Sequence, residues 1–177
     1  MDLVDRIEGA RFLGREFLVW LWYESEAREG VLPLSSGEAC ELWLEEQLTL
    51  VGHESEKTES KLKAAMPSAS PEAKEALRQG KLPIKAKVRV CRGQQTWAFV
   101  LNADTLGLSG VKIPALLTEE NDERFYERMD LVENIEAILE DLLGTFLVVR
   151  TSEAWGTTVL PAMRRWIHED AGTNRAA

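Results

Sequence analysis

Lys85, Lys87 and Arg89 alternate with Ile84, Ala86, Val88 and Val90. A period of two puts the cations on one face of a strand and the aliphatic side chains on the other. Successive cations then stand about 6.6–7 Å apart, twice the rise per residue, close to the separation of neighbouring phosphates on an extended nucleic-acid strand. The chemistry open to such a row is electrostatic: charge-assisted hydrogen bonds to phosphate oxygens, with release of condensed counterions. Lys61 and Lys63 repeat the pattern on an earlier segment, and Arg92 stands at the strand end with Arg78 and Lys81 nearby. Lys61, Lys63, Lys85, Lys87, Arg89 and Arg92 are therefore the candidate phosphate contacts. The same residue types also guard exposed sheet faces and edges against aggregation, so an ordinary solvated surface stays open as a reading. No exposed aromatic is interleaved with the cations, and base stacking is not expected.

The charge balance sharpens the question. The chain carries a net −9, yet residues 57–112 hold eleven Lys and Arg against four Asp and Glu, an excess of +7 that leaves −16 elsewhere. Residues 119–141 hold ten acids against Arg124 and Arg128. A globally acidic chain is repelled from polyanions at long range, but a local cationic face still grips phosphates at contact.

Other chemistry is sparse. His53 and His168 are the two histidines, and neither has the Cys/His spacing of a zinc site. Gly107 and Gly110 flank Ser109 as a turn would, without the pattern of a phosphate loop, and no nucleophile elbow occurs. The acids of 119–141 fit the solvated face of a helix, although their abundance keeps a two-metal nuclease among the alternatives. The chain is expected to be non-catalytic and to need no cofactor or metal.

The elements that would position the cations are legible. With 177 residues, 45% hydrophobic and 29% charged, the chain suits one folded domain, expected over 1–170 with a frayed tail at 171–177. Phe12, Leu13, Phe17, Trp20 and Leu21 favour an amphipathic helix from about Gly9 to Ala27, within an N-terminal helical region 1–30, although Trp and Phe would also suit a strand. Residues 39–52 read as two short strands or one bulged strand, and 57–65 as another. Ser70, Pro71, Glu72 and Gly80 frame a short helix at 71–79. The Ile84–Val90 strand turns at Arg92-Gly93-Gln94 into a return strand from Thr96 to Asn102. That strand is apolar on both faces and belongs inside the sheet. Leu131, Ile135, Ile138, Leu142 and Phe146 form a buried helical stripe. A last helix carries Trp155, Met163, Trp166 and Ile167, bent at Gly156 and Pro161.

The N-terminus is acidic where a signal peptide is basic, the Phe17–Tyr23 run is too short to span a bilayer, and Cys40 and Cys91 lack paired spacing. A cytoplasmic protein without membrane contact is expected, nucleoid-associated if it binds DNA. Fold class is α+β: an antiparallel sheet from 39–102, within a sheet region 39–114, with helices from both chain ends packed on it, the later ones within 119–170.

The segment order resembles the C-terminal part of the recombination-associated RdgC family of bacterial DNA-binding proteins. The resemblance rests on Gly14-Arg15-Glu16-Phe17-Leu18-Val19-Trp20-Leu21-Trp22, on Leu42-Trp43-Leu44-Glu45, and on Ser70-Pro71-Glu72-Ala73 through Gly80-Lys81. It continues with the Lys85–Arg89 strand, Gly110-Val111-Lys112-Ile113-Pro114, the Glu127 to Arg150 helix, and Trp155 with Trp166-Ile167. It covers most of the chain as scattered similarity. It implies an α+β protein that oligomerises and binds DNA with little sequence preference, serving recombination or replication without catalysis. The family's usual N-terminal region has no counterpart here, so a homo-oligomer, or a partner supplying that domain, is expected. The alternative is a protein-interaction or assembly subunit with no DNA contact, its basic face meeting the acidic helix of another copy or an acidic partner.

Overall fold

A computed structural model describes residues 3–52, 59–63 and 71–169. Ser70, His53 and the tail 171–177 lie outside the described residues, as do the flanks of the 57–65 strand. The elements are α1 (Leu3–Ala27), β1 (Val31–Pro33), β2 (Ala39–Val51), β3 (Glu59–Lys63), α2 (Pro71–Arg78), β4 (Leu82–Arg92), β5 (Gln95–Asn102), β6 (Gly107–Lys112), α3 (Asn121–Thr151) and α4 (Leu160–His168). The fold is α+β. The strands pair antiparallel in the order β1-β2-β4-β5-β6, with β3 alongside the second half of β2.

β2 is one long strand with a bulge rather than two strands: Glu45 faces Lys87, yet Leu48 faces Ala86. Two extra residues, 46 and 47, are absorbed there, and the inward alternation of Leu42, Leu44, Leu48 and Leu50 is preserved. The sheet also gains strands at both margins that the sequence reading missed. β1 has three residues and ends in a proline, which an edge tolerates. β6 occupies the Gly107–Lys112 stretch read as a turn. Its glycines have little strand propensity, and pairing with β5 holds it.

Helix α2 ends as its punctuation predicts. Gly80 adopts φ +79°, and the N–H groups of Gly80 and Lys81 return to the carbonyls of Leu77 and Ala76. Helix α1 departs from the amphipathic expectation. Phe17, Leu18, Val19, Trp20, Leu21 and Trp22 are all buried in succession, because α1 is a middle layer. One side lies on β2 and β4 of the sheet. The other meets α3 through Phe146, whose ring centroid is 5.5 Å from both Phe17 and Trp20, and α4 through Trp166, 5.2 Å from Trp22. A helix that is apolar all round belongs inside a structure.

The stripe of α3 is buried as expected, and Trp97 Nε1 donates to the Leu131 carbonyl at 2.9 Å, tying α3 to β5. Before α4 the chain makes a π-helical turn, Trp155–Val159. Pro161, just inside α4, has no N–H to give the preceding turn, which accounts for the irregularity. None of the described helices is long and apolar enough to cross a membrane.

The two thiols fall in contrasting places. Cys40 is buried, and burial pushes its thiol up from the ordinary 9.0 to about 11. Cys91 is half-buried beside the Thr96 hydroxyl. A thiol reagent at mildly alkaline pH is expected to modify Cys91 promptly and Cys40 only after unfolding. Because the folded state favours the neutral Cys40 thiol, that contribution to stability is present below pH about 9 and is lost as pH climbs toward about 11. Two equally fast thiols would contradict this placement.

Candidate nucleic-acid interface

Burial alternates along β4 and β5. Ala86, Val88, Val90, Trp97, Phe99 and Leu101 are sealed beneath the helices, while the intervening residues face outward from a sheet surface the described helices leave open. The register arranges that outer surface in rows across the strands. Trp43, Arg89, Ala98 and Lys112 form one, and Glu45, Lys87, Val100 and Ser109 form the next. A third joins Thr49, Lys85, Asn102 and Gly107, and Lys61 pairs with Thr49 at its end. Residues directly opposite on neighbouring strands share a face, so these rows are one surface.

The six candidate cations divide. Lys85 and Arg89 are exposed on this surface and Lys87 is half-buried there. The backbone of Lys61 pairs with Thr49 and extends the third row by one strand, whereas Lys63 pairs with Gln47 in the β2 bulge, outside these rows. Arg92 is elsewhere. The period that sends Val88 and Val90 inward carries Arg92 with them, and its Nη2 donates to Asn134 Oδ1 of α3 at 3.2 Å. It holds a helix to the strand end and is no part of the outer surface. Arg78 is likewise occupied, its Nε donating to the Ile167 carbonyl at 3.0 Å.

Arg89 stands in an ion pair. Its Nε lies 2.6 Å from Glu45 Oε1, with Arg89 half exposed and Glu45 largely covered. Exposed pairs of this kind contribute little, about 0–1 kcal/mol. A guanidinium has five N–H donors, and one carboxylate does not exhaust them. Glu45 lowers the local positive potential without closing the site.

Two residues of the surface escaped the sequence reading. Lys112 extends the Arg89 row because β6 is a strand. Trp43 sits opposite Arg89, a half-buried aromatic on a face expected to carry no exposed one. The signal was present, since Trp43 stands between the inward Leu42 and Leu44. The indole lies half-buried against Gly30, whose φ of +83° and missing side chain make room for it: a Cβ there would fall inside the ring. Among the described residues no group of three or more His, Cys, Asp or Glu could hold a metal ion. The arrangement supports anion binding by point charges and one forked donor, beside an aromatic fixed in place. No family model, curated protein or solved structure matches the chain.

Proposed function

We propose that the open sheet surface binds the phosphate backbone of DNA without sequence preference and without catalysis. The observation that carries this reading is the register. It gathers Lys85, Lys87, Arg89 and Lys112 on one side of the sheet, opposite to the helices, and pairs the backbone of Lys61 with Thr49 at the end of the Lys85 row. Neighbouring strands lie about 4.8 Å apart, so Arg89 and Lys112 are separated by roughly 10 Å across β5, a distance one phosphate backbone can bridge. The sequence's likeness to the recombination-associated RdgC family supports the same reading and suggests service in recombination or replication at the nucleoid. Phosphate contacts position a protein on DNA but carry no base identity, hence the absence of sequence preference.

Fluorescence anisotropy with a labelled duplex of mixed sequence tests this. The triple variant Lys85→Gln, Lys87→Gln, Lys112→Gln is expected to weaken binding at low salt by at least about tenfold. Glu45→Gln is expected to strengthen it several-fold, because it removes the negative charge paired with Arg89. A duplex of scrambled sequence should bind equally well. Unchanged affinity in the triple variant would remove the surface from consideration.

A further inference from the structure

The first ten residues of α3 have no role in the surface just described. Asn121 to Asp130 are exposed on every side apart from half-buried Glu127, and burial resumes only at Leu131. The Glu127 carboxylate accepts the Leu117 N–H at 2.7 Å, the Thr118 N–H at 3.1 Å and the Thr118 hydroxyl at 2.6 Å. It thereby ties the entering segment to the helix. At 1.5 Å per residue this part of α3 is an arm about 15 Å long. It displays Phe125 at 60%, Tyr126 at 67% and Met129 at 45% exposure, with Leu117 at 90% just before it. Apolar surface of this density on an unburied helix marks a contact site.

We propose that this arm docks on the open sheet surface of a second copy of the chain. Charge selects that occupant. Residues 119–130 hold six acids against Arg124 and Arg128, whereas the sheet surface presents Lys85, Lys87, Arg89 and Lys112 against Glu41 and Glu45. Two arms laid together would oppose like charges, so arm against sheet is the favoured pairing. Size agrees: β2, β4, β5 and β6 span roughly 14 Å at about 4.8 Å per step, which matches the arm. Ala98, Val100 and Trp43 offer apolar ground for Phe125 and Met129 between the cations. The two contacting surfaces differ, so each copy carries one of each kind. The contact does not depend on DNA binding, but it uses the same sheet surface, so DNA and a second copy compete for it.

Sedimentation velocity over a concentration series reads the outcome. Wild-type protein is expected to associate at low salt and to dissociate as salt rises. Phe125→Ala with Tyr126→Ala and Met129→Ala, or Lys85→Glu with Lys87→Glu, should each leave monomers; these side chains lie outside the buried core, and circular dichroism checks the fold. A mixture of the two variants should form one-to-one pairs that grow no further, because one supplies an intact sheet and the other an intact arm. A wild type that stays monomeric, a lysine variant that still associates, or a mixture that does not pair would each overturn the proposal. Duplex binding by the arm variant is scored separately. Its absence in both wild type and arm variant would refute the phosphate reading and leave the docking result standing.

Discussion

Glu26→Ala is expected to lower the free energy of unfolding by roughly 3 kcal/mol, the low end of the cost of breaking a buried charge pair. Glu26 is where three helices meet. Its Oε1 accepts Trp22 Nε1 at 2.7 Å within α1, and its Oε2 accepts Trp166 Nε1 of α4 at 2.6 Å. The Lys74 ammonium of α2 lies 3.6 Å from Oε2, donates to the Trp166 carbonyl at 3.3 Å and sits 5.0 Å over the Trp166 ring. Removing the carboxylate strands two indole donors and a nearly buried ammonium together. The low end of the range applies because the Glu26 side chain keeps 23% exposure and some solvation. Glu26→Gln, which keeps one acceptor oxygen, should cost less. Urea unfolding followed by circular dichroism gives both values. A loss below about 1 kcal/mol would mean that water replaces the carboxylate at no great cost.

Gly14→Ala is expected to destabilise by about 2–3 kcal/mol, at the upper end of overpacking costs. Helix α1 crosses the β5–β6 turn at Gly14, and an added Cβ would fall inside the Ala103 carbonyl oxygen and 2.9 Å from its carbon. Both sides of that contact are backbone, so neither gives way by changing a rotamer. The next residue fixes the crossing: Arg15 Nε and Nη2 bind the two Asp104 carboxylate oxygens at 2.7 and 3.0 Å. Glu16 then holds Arg150 of α3 at 2.7 Å. The Gly14-Arg15-Glu16 run is thus a structural joint. Alanine at position 14 without measurable loss in the same unfolding experiment would contradict so close an approach.

What could be read from the sequence follows from how local each signal is. The β4 alternation from Lys85 to Val90, the Pro71 and Gly80 limits of α2 and the α3 stripe are set by neighbouring residues and stand where expected; Ile84, read as inward, falls at a register shift and is half-buried while Pro83 is buried. At α1 the charges of Arg11, Arg15 and Glu24 suggested a wet face, whereas the six-residue run Phe17–Trp22 is buried throughout. Only the stacking of α3 and α4 on the far side decides between them. β6 was hidden because glycine and serine give no strand signal, and its pairing with β5 is what makes it a strand. The site shows the same division. That Lys85, Lys87 and Arg89 share a face was legible, and the same alternation already sent Arg92 inward. That Glu45 reaches Arg89, and that Lys112 and Trp43 join its row, depends on register between strands far apart in the chain.

The salt dependence of duplex affinity tests the proposed phosphate-binding surface most directly. Three to four neutralised phosphates predict a slope of about −3 in the logarithm of the association constant against the logarithm of salt concentration. That is roughly a 60-fold loss over a fourfold rise in salt, and the Lys85, Lys87, Lys112 triple glutamine variant should flatten the slope to near −1. A wild-type slope near zero, or the same slope in wild type and variant, would show that these lysines do not meet phosphate.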